Sequence, residues 1–360
     1  MSRTLRPVMS RMTRRLGALI GVVIPCLLVG VSLAGAARAA ESCAVPPHLA
    51  ATRPDPEGDP TEVTVGGYLL DLRNVDDSKQ SFEADIFYVL TWRDPRLVAD
   101  DLPSSLIGCT LALNSIWSPL PEVVNERNLR RRFDETATVD ESGLVRHLQR
   151  VQGEFTVPLN LKEFPFDSQK LFIEIVSRGH SVDQVSLVLD EDVSGMEDTL
   201  TLTDWTIGET GADFTPKYIA PQDRYLPQVQ MFFNVHRDTR YYFLKIFLPL
   251  TLIICMSWAV FWINPNLLPS QIGVSTSAVL TLIAFQFSLG YMLPRLAYLT
   301  RADRFVIGST FLVFGAFGEA LLTSYLAEHG NETRAHKVDR ASRWLFPLTF
   351  LAVVVVSMIL

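Results

Sequence analysis

The sequence has little cysteine, little histidine and none of the short motifs that mark the common enzyme classes. Its 360 residues include four cysteines and six histidines, and the histidines are scattered without the spacing of a metal site. Gly-rich phosphate loops and the H-E-x-x-H, C-x-x-C and G-x-S-x-G patterns are all missing. We therefore expect no enzyme activity, no metal and no cofactor.

The few cysteines allow two interpretations. Cys43 and Cys109 could form a disulfide in an oxidising compartment, but two cysteines do not make a disulfide framework, and the pattern fits free thiols equally well. Cys255 lies in an apolar run, which is typical of a small buried hydrophobic residue.

Charge is distributed very unevenly along the chain. Residues 1–40 contain six arginines and no acid, residues 41–240 contain 34 acidic against 18 basic residues, and residues 241–360 contain five acidic against eight basic residues. An acidic polar half is therefore joined to an apolar half. The large polar half has the wrong sign for binding nucleic acid, so we expect no nucleic-acid partner.

The first forty residues have the pattern of a secretory signal peptide. Five arginines precede an uncharged run over residues 16–37, and Ala37-Arg38-Ala39 provides a small-residue cleavage site. An uncleaved anchor helix is the alternative, since the apolar run is long. Either interpretation places residues 41–240 outside the cytoplasm.

Residues 41–240 have the pattern of an exported all-β domain. After a proline-rich start, short alternating apolar runs are separated by turn residues, and Asp-Glu-Ser-Gly at 140–143 predicts a hairpin turn. Such strands without long helical periodicity between them predict an antiparallel, immunoglobulin-like sandwich. The clearest predicted strands cover residues 82–92, 151–159, 171–176, 185–189 and 229–235.

Residues 241–360 predict a bundle of four membrane-spanning helices. Apolar stretches at about 241–263, 270–292, 305–327 and 344–360 are long enough to cross a bilayer. Four spans return the chain end to the outside and leave the basic segment 328–343 in the cytoplasm. We therefore expect a multi-pass protein of the plasma (inner) membrane. Glu319 inside the third stretch has either a functional role or a packing role against a hydroxyl group.

The second span carries a periodic stripe. Gly273, Ser277, Leu280, Ala284 and Phe287 recur at steps of four and three residues, and Tyr291 continues the series. Ser270 adds a further small polar residue at the inner end. Small and hydroxylated residues on one face fit either helix packing or the lining of a pore, and the periodicity alone does not separate the two.

An ordered set of motifs resembles the pentameric ligand-gated ion channels. Phe164-Pro165-Phe166-Asp167 resembles the FPxD segment of that family's Cys-loop. The two family cysteines would fall at Val157 and Leu171, so the chain resembles a prokaryotic member that lacks them. The resemblance covers roughly residues 61–360. Its other motifs are Trp92-Arg93-Asp94, Ile116-Trp117-Ser118-Pro119 with Asn125, Tyr241-Tyr242 with Pro249, Ser257-Trp258 through Asn264, and Leu293-Pro294-Arg295.

The resemblance implies a ligand-gated channel in which five identical subunits place their second spans around a pore. The implied pore-lining residues are Ser270, Gly273, Ser277, Leu280, Ala284, Phe287 and Tyr291, with Leu280 and Phe287 as apolar constrictions that close by dewetting. The pore mouth at Pro269-Ser270-Gln271 has neither the acidic nor the basic signature of the family's selective members. The acidic exported half favours monovalent cations. An anion-conducting channel, and a membrane-anchored receptor without conduction, are the alternatives.

The implied ligand site lies between neighbouring exported domains, at the segments 117–125, 177–180 and 221–226 and on the facing strand of the next subunit. Arg178 and His180 disfavour an amine ligand unless an acid such as Glu122 neutralises them. They suggest an anionic or zwitterionic small molecule, or pH sensitivity through His180; pairing of Arg178 with a carboxylate alone is equally compatible. The assigned residues are Phe87, Val89, Trp117, Glu122, Asn125, Arg178, His180, Tyr218 and Tyr225.

Coupling between the two halves is expected where the β loops meet the membrane. The resemblance implies roles for Asp167, Arg237, Pro294 and Arg295, with an Asp167–Arg237 ion pair at a partly dry interface. The loop at residues 74–80 is a further candidate. The expected partners of the protein are a small-molecule ligand, inorganic ions, the lipid bilayer and four further copies of the chain.

Overall fold

The computed structural model describes residues 43–100, 102, 105–264, 266–290, 293 and 296–359. The signal-peptide prediction for residues 1–40 lies outside these residues. The described chain begins with a one-turn helix, Pro47–Ala51, and continues as a β domain and four long helices. This order of a β-sandwich followed by membrane-length helices is the predicted fold class.

The β domain is built from strands that the alternation of apolar and polar residues explains. In β7, for example, buried and solvent-facing side chains alternate from Val145 to Val151, as expected when only one face of a sheet is covered. Over the described residues the strands are β1 Thr61–Asp76, β2 Ser81–Arg93, β3 Thr110–Ala112, β4 Pro121–Val123, β5 Glu126–Arg131, β6 Thr136–Val139, β7 Leu144–Thr156, β8 Ser168–Ser177, β9 Val185–Leu189, β10 Gly195–Met196, β11 Trp205–Asp213, β12 Lys217–Ile219, β13 Arg224–Leu226 and β14 Gln228–Arg237.

Two sheets form the sandwich. The larger sheet has the order β10–β1–β2–β7–β6–β3, with β9 also paired to β1 and β5 to β7, and the smaller sheet has the order β11–β14–β8–β4. Most pairs are antiparallel, as predicted, but β9 and β10 both run parallel to β1. Strands β12 and β13 form a separate hairpin that projects from the start of β14.

The core between the sheets is apolar and closely packed. Trp92, Phe82, Phe155 and Phe164 are among its largest fully buried side chains. Val157 and Leu171, the positions where the family's bridging cysteines would fall, are also buried in this core. Apolar packing therefore holds the segment between β7 and β8 in this chain.

The predicted turn at residues 140–143 joins β6 to β7. The Asp140 carboxylate accepts hydrogen bonds from the backbone nitrogens of Ser142 at 2.8 Å and Leu144 at 3.0 Å. Gly143 has φ +76°, and a Cβ there would lie 3.0 Å from Pro95 Cα. Glycine is therefore required by both the backbone conformation and the available space.

The start of the described chain is fastened to the β domain by a disulfide and by an arginine. Cys43 and Cys109 form a disulfide across 66 residues, so the structure selects the bridged alternative. The Arg96 guanidinium pairs with the buried Asp94 at 2.8 Å and donates to the carbonyl oxygens of Arg53 and Thr52. The segment therefore lies against the domain rather than extending freely.

The second half contains four helices that are long and apolar enough to cross a membrane. They are the first span Arg240–Trp262, the second span Leu268–Leu289, the third span Arg301–Glu328 and the fourth span Glu332–Ile359. The third begins with a capping box, in which the Thr300 hydroxyl accepts from Asp303 N and the Asp303 carboxylate accepts from Thr300 N. The fourth helix starts before its apolar stretch, because residues 332–343 continue it with polar side chains.

Within one subunit the spans pack through a core of their own. Ile246, Leu250 and Phe261 of the first span meet Ala278 and Leu282 of the second, together with side chains from the other two helices. Cys255 lies outside this core and is exposed on the subunit. The expectation that it is buried is therefore wrong for the single subunit, because it faces away from the neighbouring spans.

Candidate functional site

The predicted stripe of the second span lies on the open face of that helix. Leu280 is 61% exposed and Phe287 is 75% exposed. The face that packs inside the subunit is a different one, formed by Gln271, Ser275, Ala278, Leu282 and Leu289. The stripe is therefore not explained by packing within the subunit. Its other described members, Ser270, Gly273, Ser277 and Ala284, are exposed as well, whereas Tyr291 lies outside the described residues.

Two hydroxyl groups on this open face are bonded to the helix itself. Ser277 Oγ donates to the Gly273 carbonyl oxygen at 2.7 Å, and Thr281 Oγ1 donates to the Ser277 carbonyl oxygen at 2.7 Å. Each hydroxyl proton is thereby used, and the free lone pairs of the oxygen point away from the helix. The exposed face presents hydrogen-bond acceptors rather than donors.

Gln271 fixes the inner end of the second span. Its side chain is fully buried, its Nε2 donates to the Ile263 carbonyl oxygen at 3.0 Å, and its Oε1 accepts from Ser324 Oγ at 2.9 Å. The amide thus joins the end of the first span to the third span. Gln271 belongs to the packing face of the helix, while Ser270 beside it is exposed.

The three segments assigned to the ligand site come together at one end of the smaller sheet. Arg178 N donates to the Leu120 carbonyl oxygen at 3.1 Å, and Val182 N donates to the Tyr225 carbonyl oxygen at 3.3 Å. Ser177 Oγ also donates to the Pro119 carbonyl oxygen at 2.6 Å. Hydrogen bonds therefore connect the end of β8 both to the segment before β4 and to the β12–β13 hairpin.

The buried Trp117 and the half-buried His180 form the floor of this region. Their ring centroids are 5.2 Å apart, and His180 Nε2 lies 3.0 Å from the Ser118 carbonyl oxygen, so that nitrogen carries the proton. Burial lowers the pKa of His180, although the bond to Ser118 opposes the shift. His180 is accordingly uncharged near neutral pH, and it gains its charge only in acid.

Above this floor Arg178 pairs with Glu122. Arg178 Nε lies 3.1 Å from Glu122 Oε2, and both side chains remain largely exposed, at 65% and 45%. The pairing that sequence reasoning treated as an alternative is therefore present. An exposed pair of this kind is weak, so a competing carboxylate can replace Glu122 at low cost.

The β12–β13 hairpin adds two exposed aromatic rings. Tyr218 and Tyr225 lie directly opposite each other across the hairpin, with ring centroids 5.2 Å apart. The Tyr218 hydroxyl donates to Asp223 at 2.8 Å, which raises the pKa of Tyr218. The hairpin base is held by Lys217, whose Nζ donates to Glu174 at 2.6 Å.

Phe87 and Val89 lie on β2 of the larger sheet. The Phe87 ring stacks on Phe133 at 5.9 Å and carries the Arg150 guanidinium 5.6 Å from its centroid, while the Val89 side chain is buried. Arg150 is itself held by Asp85 at 2.8 Å. This patch therefore offers a positioned guanidinium beside two aromatic rings, on a different sheet from the loops described above.

Asn125, the remaining residue assigned to the ligand site, is buried and fully bonded. Its Nδ2 donates to the carbonyl oxygens of Thr156 at 3.1 Å and Phe172 at 2.8 Å, and its Oδ1 accepts from Glu174 N at 2.9 Å. These bonds connect both sheets. The geometry gives Asn125 the role of positioning the loop after Trp117.

At the seam between the two halves, Arg237 is surrounded by acids and aromatic rings. Its Nε donates to Asp167 Oδ1 at 2.8 Å, and its Nη2 donates to Asp77 Oδ1 at 2.7 Å. Its guanidinium lies 4.1 Å from the centroid of the Trp205 ring and 4.8 Å from that of Phe164. The predicted Asp167–Arg237 ion pair is thus present. Asp77, which has no motif of its own, is a second acid bonded to the same guanidinium.

The two acids at the seam differ in exposure. The side chain of Asp167 is 2% exposed and that of Asp77 is 15% exposed. Burial raises the pKa of Asp77, although the hydrogen bonds and charge of Arg237 oppose the shift. Burial alone would lower the pKa of Arg237, but its bonds to Asp167 and Asp77 outweigh that effect and raise it. The guanidinium stays charged, and Asp77 is the partner that acid can neutralise.

The loop at residues 157–167, between β7 and β8, rests on the membrane half. Arg301 N and Ala302 N donate to the carbonyl oxygens of Lys162 and Phe164, both at 3.1 Å. The Arg301 guanidinium also pairs with Glu163 at 3.0 Å. The start of the third span is therefore bonded directly to this loop. The predicted coupling residues Pro294 and Arg295 lie outside the described residues.

The comparisons with known proteins agree with this geometry. The family described as "Neurotransmitter-gated ion-channel ligand binding domain" matches residues 45–239, more than half of the chain. The chain belongs to the neurotransmitter-gated ion-channel family. It is 29% identical over 299 residues to the proton-gated ion channel of Gloeobacter violaceus, covering 83% of both chains. It is 26% identical over 284 residues to the gamma-aminobutyric acid receptor subunit beta-4 of Gallus gallus, covering 76% of this chain and 57% of that subunit.

Membership of this family confirms several of the predictions. The chain is a membrane protein of the pentameric ligand-gated channels, with a β-sandwich domain before four membrane-spanning helices, and it belongs to a non-enzyme family. Some residues that matter in the geometry gave no signal in the sequence. Arg301 lies in a segment without a recognisable motif, and Arg150 is one of several arginines on β7. Asp77 lies in the predicted coupling loop at residues 74–80, but nothing in the sequence distinguishes it from the other acids there.

Proposed function

We propose that five copies of this chain form a cation channel that opens when a small molecule binds between neighbouring β domains. The observation that carries the proposal is the open, uncharged face of the second span. Ser270, Gly273, Ser277, Leu280, Ala284 and Phe287 share this face and do not pack inside the subunit.

Leu280 and Phe287 supply the closed gate in this proposal. Rings of five leucines or five phenylalanines make an apolar constriction from which water withdraws, and ions cannot pass a dewetted segment. Gly273 and Ser277 would line the inner end of the pore. The open space around Gly273, where an added Cβ would meet no atom within 4 Å, fits a position that faces an aqueous lumen.

Two features support cation over anion conduction. The hydroxyl groups of Ser277 and Thr281 donate hydrogen bonds to backbone carbonyl oxygens of their own helix, so a passing ion meets oxygen lone pairs, which attract cations. The exported half also carries 34 acidic against 18 basic residues, and such a field concentrates cations near the pore entrance. Screening limits this field to about 8 to 10 Å in physiological salt.

The ligand site is incomplete within one subunit, which supports binding between subunits. Trp117, Arg178 and the hairpin tyrosines belong to one patch, whereas Phe87 and Arg150 belong to a patch on the other sheet. A ring of identical subunits would bring the first patch of one copy to the second patch of the next.

The chemistry of the two patches favours a zwitterionic or anionic ligand. Arg178 and Arg150 can each bind a carboxylate, and Tyr218, Tyr225 and Phe87 can cover an apolar or ammonium end. The Gallus gallus relative is a receptor subunit for gamma-aminobutyric acid, which is such a zwitterion. The proton is the second candidate stimulus, supported by the name of the Gloeobacter violaceus relative and by the raised pKa of Asp77.

The test is recording from purified protein in planar bilayers with asymmetric potassium chloride. We expect currents that reverse near the potassium potential; reversal near the chloride potential contradicts cation conduction, and no current under any stimulus contradicts the channel. Stimuli are zwitterionic amino acids, monoamines and monocarboxylates at fixed pH, followed by acid steps alone. Arg178→Ala should weaken responses to carboxylates, whereas Arg127→Ala, which removes another exposed arginine that pairs with a glutamate, should not. Equal responses in both variants contradict the proposed ligand site.

A further inference from the structure

Two acids that the channel mechanism does not use face each other between the third and fourth spans. Asp339 is fully buried, and none of the carboxyl oxygens of Asp339 or Glu319 has a hydrogen-bond partner among the described residues. Glu319 lines a cavity between the two spans together with Ser342, and Asp339 lies on the fourth span one turn before Ser342. Glu319 was identified in the sequence as an intramembrane acid, but its partner on another helix was not.

The positive groups nearby do not neutralise the pair. The charged or titratable described groups that act on it are Arg343 and His336, both on the fourth span. Arg343 Nε donates to the Phe261 carbonyl oxygen at 2.8 Å, and its guanidinium lies 4.7 Å from the Trp262 ring centroid. Neither group lies within ion-pair distance of the two acids. The first span contributes only uncharged groups here, and the second span carries no charged residue over Leu268–Leu289.

The neighbouring hydroxyl groups do not satisfy the pair either. Thr323 Oγ1 donates to the backbone carbonyl oxygens of Glu319 and Ala320. Ser342 lines the same cavity as Glu319, but the carboxyl oxygens of Glu319 have no hydrogen-bond partner among the described residues. Two carboxylates that are buried together without donors cannot both stay charged, because burial and mutual repulsion both oppose the second charge. A proton held between them removes one charge and supplies the missing hydrogen bond.

A metal ion fits the position less well. Ca²⁺ takes six to eight oxygen ligands, and the described residues contain no group of three or more Asp, Glu, His or Cys that could hold a metal. A proton needs only the two carboxyl groups.

We propose that Glu319 and Asp339 form a proton-binding site that joins the fourth span to the third. The pair lies toward the cytoplasmic end of the bundle: Ser324, little more than one turn after Glu319, bonds to Gln271 at the inner end of the second span. The site would therefore equilibrate with the cytoplasm. Loss of the proton at high internal pH would set two charges against each other and loosen the fourth span. This site is separate from the stimulus that acts on the exported half.

Infrared difference spectroscopy of the purified pentamer tests this directly. Between pH 6 and pH 9 ordinary Asp and Glu are already ionised, so a carboxylic-acid carbonyl band that disappears on raising the pH reports an unusual acid. We expect this band in the natural protein and its loss in Glu319→Gln and in Asp339→Asn. Glu328→Gln, an exposed acid on the same helix, should keep it. Absence of the band in the natural protein, or its retention in both variants, would overturn the proposal.

Thermal unfolding gives a second measurement that does not require conduction. The midpoint of the natural protein should fall as pH rises from 7 to 9, because the pair loses its proton. The midpoint of Glu319→Gln should change less over this range, because the amide donates to Asp339 at every pH. The opposite outcome is that sodium or calcium, but not choline at equal ionic strength, restores the unfolding midpoint at high pH. In that case a cation binds between Glu319 and Asp339, and the proton site is refuted.

Discussion

Arg237 and Asp167 are bonded to each other through both backbone and side chain. The Arg237 backbone nitrogen donates to the Asp167 carbonyl oxygen at 3.2 Å, and its side chain donates to both Asp167 carboxylate oxygens, at 2.8 and 3.1 Å. Asp167 ends the loop that rests on the third span, and Arg237 precedes the first span by three residues. The two segments are therefore joined directly to each other at this point.

Removal of the Arg237 guanidinium should be among the most damaging single changes in the seam. Arg237→Ala leaves Asp167 and Asp77 buried without their partner, and breaking a buried ion pair costs about 3–5 kcal/mol. The measurement is the thermal midpoint in detergent together with the yield of pentamer on size exclusion. Arg240→Ala removes a nearby but exposed arginine and should leave both unchanged. Equal behaviour of the two variants would contradict a structural role for the buried network.

Asp77 should give the seam a response to acid. Because burial raises the pKa of Asp77, the folded protein binds this proton more readily than the unfolded chain does. Protonation of Asp77 therefore favours the folded state at low pH, and this contribution to stability is lost as pH rises through the raised pKa. Acid therefore releases one carboxylate from Arg237 without unfolding the domain. Asp77→Asn should mimic this state and flatten the dependence of channel opening on external pH.

Asp76 provides the matched control for Asp77. Burial alone would raise the pKa of Asp76, but hydrogen bonds from Lys79 and Ser78 outweigh it and lower the pKa. Asp76→Asn should therefore retain the pH response of the natural protein. The idea that Asp77 carries the response fails if both variants respond to external acid like the natural channel.

Leu280→Ser should make the proposed pore easier to open. A ring of serines holds water where a ring of leucines excludes it, so activation should shift to a weaker stimulus, or current should flow without one. Leu348→Ser on the fourth span is the control, because that leucine is 63% exposed against 61% for Leu280 but lies on another helix. A similar change in gating for both variants would count against the assignment of Leu280 to the pore.

The disulfide should stabilise the β domain measurably. In the chain-entropy model, closing a loop of 66 residues contributes about 4 kcal/mol. Cys109→Ala should lower the thermal midpoint, and a reducing agent should do the same to the natural protein. Cys255→Ser removes a cysteine outside the disulfide and should have no such effect. Peptide mapping without reduction would directly identify the linked pair.

The parts of the fold that sequence reasoning predicted are those that depend on local pattern. Alternating runs indicated β2, β8, β9 and β14, and long apolar stretches indicated the four spans. The stripe through Leu280 was also visible, since steps of three and four residues place side chains on one helix face. The sequence alone did not show whether this stripe packs against other helices or faces open space. That depends on which face of the second span the neighbouring helices cover, and only the fold shows it.

The parts that were missed depend on contacts between distant segments. The loop at residues 74–80 is a predicted coupling candidate, but only the fold shows that Asp77 is the acid in it that meets Arg237. The pairing of Glu319 with Asp339 requires two antiparallel helices in a particular rotation, which no spacing along one helix reveals. Asn125 shows the opposite case: its motif suggested a ligand contact, but its amide is used entirely by the backbone of both sheets.

Ala302, a residue of the third span, is part of the buried core of the β domain, and Tyr242 and Leu296 pack against the same core. The boundary between the two halves in sequence is thus not a boundary in packing. A soluble fragment ending at Arg237 would expose the apolar surface that these side chains cover in the whole chain. The two halves are consequently a single cooperative unit, and heat should melt them together rather than one after the other.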